Sequence, residues 1–308
     1  MLKVVSVSLG SSGRDKTTRA TFLDNEVELS REGTDGDMAK AMARIAELDG
    51  KVDAIGLGGI DLYLCVGKRK YTIRDAAKLA SQAKTTPVVD GSGLKLTLEK
   101  QLVEQICDPA QAAALGFQGH PLKGAKALMV AGVDRWGMSE ALAAQAGEML
   151  FGDLIFGLGI PIPIRSLKAL ERTGYMVAPI VATVPFHWIY PTGDKQKEHK
   201  PKHSELFVWA DWICGDFHYI KRNLPPRLDG KVVLTNTTTE QDQADLKARG
   251  LAYLITTTPV IDGRSFGMNV LEGCVAALIR QRGDMLTPEN YQVYLNKLAL
   301  KPTVVGLN

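Results

Sequence analysis

Cysteine is scarce: Cys65, Cys107, Cys214 and Cys274 are the only four in 308 residues, far apart and without a C-x-x-C pair. Such spacing points to neither a disulfide framework nor a zinc module, and it fits a reducing cytosol, where we expect the protein to reside. Charge of one sign is scarce too. Lys and Arg number 37 against 34 Asp and Glu, a surplus too small to argue for nucleic acid. The most apolar run, FGDLIFGLGIPIPI at 151 to 164, contains Asp153 and is too short to span a membrane. The first residues lack the basic and then apolar pattern of a signal segment. The expected partners are therefore small acidic molecules, with neither nucleic acid nor membrane, and a homodimer is a possible assembly.

What is present is the composition of a globular chain, 45% hydrophobic and 23% charged, long enough for two domains with separate cores. Short β-rich runs bounded by glycine alternate with helical patterns, the signature of βα units and a mainly parallel sheet. The expected fold class is α/β. An N-terminal α/β domain spans 1–118, and a Rossmann-like domain with a mainly parallel sheet spans 119–308. Residues 52 to 57 and 86 to 90 read as strands, 37 to 49 and 74 to 84 as helices, and YLCVGKRKYTI as a hairpin turned at Gly67. In the second half, strands are expected at 126 to 131, 153 to 157, 177 to 184, 212 to 215, 231 to 236 and 252 to 257. The helix after Asn236 is capped by Thr239, and the last one opens at Thr287 and Pro288.

Near the start, SLGSSGRDKTT meets the P-loop pattern at Gly10, Lys16 and Thr17 but places Asp15 where the second glycine belongs. A carboxylate there repels phosphate, and the next residues read as a strand, so the loop is expected to be a hairpin connection. The search for a nucleotide site moves to MVAGVDRWGM. There a strand ends at Ala131, Gly132 permits a tight turn and Gly137 opens a helix whose free N–H groups suit an anion. This is a divergent dinucleotide fingerprint, and Gly132, Asp134, Arg135 and Gly137 are the expected contacts to NAD or NADP.

Four of the five histidines fall between 187 and 218. His199 and His203 have metal-ligand spacing, but Pro201 and several lysines lie among them, so a solvated basic loop is preferred and no metal is expected. Asp216 and His218 follow a strand's carboxyl end, where open α/β sheets bind ligands. A carboxylate beside an imidazole suits proton transfer, and Lys221 lies one turn on. Asp61, and Asp90, Ser92 and Lys95 around two glycines, are candidate substrate contacts, as is Arg264, which suits a carboxylate. For each of these an ordinary turn or cap is the competing explanation.

GTDGD, AIGLGGIDLYL, VVDGSGLK, DRWGM, YPTGDKQ, GDFHYIKR and TNTTTEQD together resemble bacterial proteins identified as quinate 5-dehydrogenase, over nearly the whole chain. The resemblance implies oxidation of a ring hydroxyl by NAD or NADP, and a catalytic domain beside a Rossmann domain. The expected function is thus a nicotinamide-dependent oxidoreductase acting on a small hydroxylated carboxylate. The alternative is an α/β protein that binds a small ligand or nucleotide without catalysis.

Overall fold

The computed structural model describes residues 1–185, 201–258, 260–261, 264–265 and 267–307, the two pairs 260–261 and 264–265 by their backbone alone. In chain order the elements are β1 (Leu2–Ser8), β2 (Lys16–Phe22), β3 (Asn25–Gly33), α1 (Met38–Leu48), β4 (Ala54–Gly58), β5 (Tyr63–Val66), β6 (Arg69–Thr72), α2 (Arg74–Ala80), β7 (Val88–Val89) and α3 (Ser92–Leu96). Then follow α4 (Leu98–Cys107), α5 (Pro109–Ala114), β8 (Lys126–Met129), α6 (Trp136–Gln145), β9 (Glu148–Phe151) and α7 (Leu167–Val181). The remainder is α8 (Ser204–Trp209), β10 (Trp212–Cys214), α9 (Phe217–Asn223), β11 (Val232–Thr235), α10 (Glu240–Ala248), β12 (Tyr253–Thr256), β13 (Val260–Ile261), β14 (Arg264–Ser265), α11 (Met268–Gln281), α12 (Pro288–Leu298) and β15 (Thr303–Gly306).

These elements form two α/β units, as the alternating pattern implies, but the division differs from a single cut near residue 118. The first unit comprises Met1–Lys95, Met176–Gln196 and Val260–Leu300, and the second Leu96–Tyr175, Lys197–Pro259 and Lys301–Asn308. The late helix α11 belongs to the first because its apolar face meets the first sheet. A Cβ on Gly273 would touch Val4, and Gly56 lies against the Asn269 backbone.

The first sheet runs β2-β3-β1-β4-β7, parallel except for β2. Its interior strand β4 is apolar on both faces, as a covered parallel strand must be. The SLGSSGRDKTT loop is not a hairpin connection. It leads to β2, which pairs antiparallel with β3, while β1 pairs parallel with the other edge of β3.

The second sheet runs β15-β12-β11-β10-β8-β9, parallel except for β15, over a core that includes Leu128, Val130, Phe207, Ile213, Val233 and Leu254. Two expected strands are corrected. Residues 153 to 157 form a turn of π-helix, the strand being β9, and of 177 to 184 the first five complete α7 and the last three form a turn. Only β9 lies on the near side of β8, so the strand order follows the flavodoxin-like doubly wound pattern. In both units the chain goes to one side of a central strand and then returns to the other. The switch points fall between β1 and β4 and between β8 and β10.

Candidate functional site

At the second unit's switch point the loop after β8 meets the loop after β10. Gly215, at φ +129°, makes the latter turn with no room for a Cβ, which would lie 2.6 Å from Val130. Asp216 then caps α9, its Oδ1 accepting the His218 N–H at 2.9 Å. Its other oxygen accepts from Arg135 at 2.9 Å and from the Asn236 amide at 2.7 Å. Arg135 also pairs with Glu99 of α4, and the Thr257 hydroxyl donates to Glu99 at 3.4 Å. Arg135 is 3% exposed at its side chain and Glu99 0%.

Burial opposes every charge in this cluster. For Arg135 the Glu99, Asp216 and Asp134 carboxylates outweigh burial and raise its pKa further. For Asp216 burial works upward, but the Arg135 and His218 charges and two hydrogen bonds hold it at about 2. Asp216 meets His218 through the His218 backbone N–H, as the cap of α9, and the His218 residue beside it is exposed. Lys221 points elsewhere, bonding Asp242 of α10 at 2.5 Å.

The turn expected to hold NAD or NADP is closed by the chain itself. Asp153 accepts the Gly132 N–H at 2.9 Å and the Val133 N–H at 2.8 Å. A nucleotide phosphate would have to displace a carboxylate to reach those donors. Arg135 is committed to Glu99 and Asp216, Asp134 lies 3.5 Å from the Arg135 guanidinium, and Gly137 is buried in α6. Burial pushes the Asp153 pKa up to about 6, against the pull of its N–H donors.

The first unit gathers Asp61, Asp90, Ser92 and Lys95 past the carboxyl ends of β4 and β7. Lys95 bonds Asp61 at 2.8 Å, with side chains 12% and 15% exposed. Asp90 accepts from the Leu62, Tyr63 and Ser92 N–H groups at 2.6, 3.1 and 3.0 Å, so it staples one loop to the next. Beside it lies Glu272 of α11, 4% exposed, held by Gly91 and Gly93 N–H groups and by the Tyr291 hydroxyl. Burial, then the Asp90 charge, push the Glu272 pKa up to about 8. The backbone of Arg264 pairs with Ile261 in the β13–β14 hairpin, and its side chain lies outside what is described. His187 and His199 also lie outside the described residues, among which no group of three or more His, Cys, Asp or Glu is placed to hold a metal.

Sequence reading missed Glu99, Asp153, Asn236 and Glu272. Asn236 alone had a local signal, following a strand end as Asp216 does. Glu99 and Glu272 sit within helical patterns where a glutamate normally reads as a solvated position.

Two doubly wound α/β units, each with polar side chains gathered at a switch point, define the class of protein. The chain belongs to the family described as domain of unknown function DUF8754, which matches residues 93–307, while residues 3–90 match a second, DUF8753. No match is found among curated proteins. Solved structures similar to the chain include an ABC transporter solute-binding protein from Burkholderia multivorans, with an unknown ligand interpreted as α-D-erythrofuranose (12% identity, 99% of each chain, TM-score 0.39). Another is a solute-binding protein from Agrobacterium vitis with bound D-fucose (11% identity, 99% of this chain and 95% of that one, TM-score 0.36). A third is the periplasmic binding component of the arabinose transporter of Shewanella sp. ANA-3 (9% identity, 96% and 95%, TM-score 0.36).

Three expectations are corrected by these findings. The family models that match the chain describe domains of unknown function and not a quinate 5-dehydrogenase, so that resemblance and the oxidoreductase activity drawn from it are withdrawn. The cytosolic location, expected from cysteine spacing and the first residues alone, is withdrawn as well. At TM-scores below 0.5 these likenesses assign the chain neither ligand nor partner.

Proposed function

We propose that this protein binds a small hydroxylated molecule without transforming it, and that the carboxyl edge of the second sheet contributes Asp134, Asp216 and Asn236 to recognition. The observation that carries this reading is the Glu99–Arg135–Asp216–Asn236 network: a fixed polar scaffold whose ionisable members are tied to one another. Sites held by interlocked side chains are preorganised for binding. Asp216 stays ionised at neutral pH, which suits accepting hydroxyl hydrogens more than exchanging protons. Three carboxylates, Glu99, Asp134 and Asp216, face one arginine there. That excess favours an uncharged, hydroxyl-rich ligand over the acidic molecule expected from composition.

The test is thermal denaturation against a panel of neutral polyols and monosaccharides, cyclic acids, nucleotides, NADH and NADPH. A neutral hydroxylated compound at about 100 times its Kd should add about 2.7 kcal/mol and raise the Tm by several degrees, with no response to either nicotinamide. Saturable NADH or NADPH binding accompanied by turnover would sink the reading.

A further inference from the structure

The loop Leu9–Asp15 leaves the carboxyl end of β1, next to the point where the first unit's strand order reverses. It is tied to its surroundings on several sides. Asp35 accepts the Ser12 N–H at 2.8 Å, and Asp15 accepts the Gly33 N–H at 2.6 Å. Arg31 of β3 donates to the Ser11 carbonyl at 3.0 Å, to Asp15 at 2.8 Å and to the Ser8 hydroxyl at 3.0 Å.

Into the same place the loop returns a second guanidinium. A Cβ on Gly10 would lie 2.9 Å from an Arg14 nitrogen, 3.0 Å from an Arg31 nitrogen and 3.2 Å from the Ser8 hydroxyl. The two guanidiniums are therefore no more than about 6 Å apart over a glycine that leaves them room. Arg31 has Asp15 as counter-ion and also feels the Asp35 carboxylate, which accepts the Ser12 N–H. Arg14 forms no side-chain hydrogen bond or ion pair with another described residue, so its guanidinium donors are the ones left to meet a ligand there. Like charges converge where a shared counter-ion offsets their repulsion, and guanidinium forks match the two oxygens of a phosphate or carboxylate. The carboxyl ends of parallel strands at a switch point are where such ligands sit.

We propose that Arg14, Arg31 and Ser8 form a binding site for an oxyanionic group of a small molecule at the carboxyl end of β1. The P-loop-like string thus acquires a role through its arginine and Gly10, not through Lys16 and Thr17, which lie in β2. This site is independent of the second unit's edge.

The full-length chain is titrated with inorganic phosphate, sulfate and acetate at constant ionic strength set by chloride, following the arginine side-chain NMR resonances and the Tm. The same titrations are run on Arg14→Gln, an exposed position whose loss leaves the contacts of Arg31 with Ser8, Ser11 and Asp15 in place. Saturable shifts in the wild type, at least about tenfold weaker in R14Q, are the expected result, and the anion giving the tightest response identifies the source of the oxyanion. Equal affinity in R14Q and wild type, or wild-type shifts reproduced by chloride alone, overturns the proposal. Neither outcome touches the polyol panel, so the two readings fail separately.

Discussion

Glu272 is a helical glutamate with no solvent to stabilise its charge, next to the already buried Asp90. Its pKa is raised from 4.5 to about 8, so the folded state holds a proton that the unfolded chain releases. The resulting stabilisation is complete below pH 4.5 and is lost as pH rises through about 8. Glu272→Gln, which cannot ionise, is therefore expected to match the wild type near pH 5 and to exceed it by about 2–4 kcal/mol at pH 9. Urea denaturation across that range checks this, and a constant difference between the two proteins would refute it. Asp153 shifts in the same direction, to about 6, for the same reason. Its compensation is the pair of N–H groups at Gly132 and Val133, which is why the turn resembles a phosphate site in sequence and behaves as a closed one in the fold.

Among the elements, α10 shows how completely local chemistry can specify a helix. Thr239 accepts the Asp242 N–H at 3.2 Å while Asp242 accepts the Thr239 N–H at 2.9 Å, a reciprocal capping box, and the helix ends before Gly250. Thr239→Ala should cost about 1 kcal/mol, measured as a lower urea midpoint with an unchanged slope. Asp242 also anchors Lys221, so that contact should survive the substitution. The β5–β6 hairpin at Gly67 and the Thr287-capped α12 were equally legible, because turn and cap residues act within a few positions of themselves. VAPIVATV was not. Its β-branched residues favour a strand locally and Pro179 disfavours a helix interior, yet residues 177 to 181 complete the helix begun at Leu167, with Met176 and Ile180 exposed. A short apolar run cannot be told from helix by periodicity alone.

For the molecule as a whole, the chain enters and leaves each unit more than once, so neither unit is a continuous stretch. A fragment of residues 1–118 lacks α11, whose Gly273 lies against Val4 and whose Asn269 side chain bonds Ser6 at 2.8 Å. Exposing that side of β1 and β4 removes much of the first core. The fragment should show no cooperative urea transition, while the full chain does; a cooperative transition in 1–118 would mean that this unit does not need α11.

The α/β class, the parallel character of both sheets, the starts of the capped helices α10 and α12 and the polar loops at strand ends were determined by the sequence itself, since they depend on periodicity, caps and glycines acting over short range. Which loops carry chemistry was decided by tertiary structure. Glu99, Arg135 and Asp216 are up to 117 residues apart in sequence, and only their common burial turns a helical glutamate, a turn arginine and a cap into one network. The same holds for Gly132, whose N–H looks available until Asp153 folds beneath it, and for Arg14, ordinary in its loop until β3 brings Arg31 alongside. Burial and charge act through space at a few ångströms, a distance that sequence separation does not record.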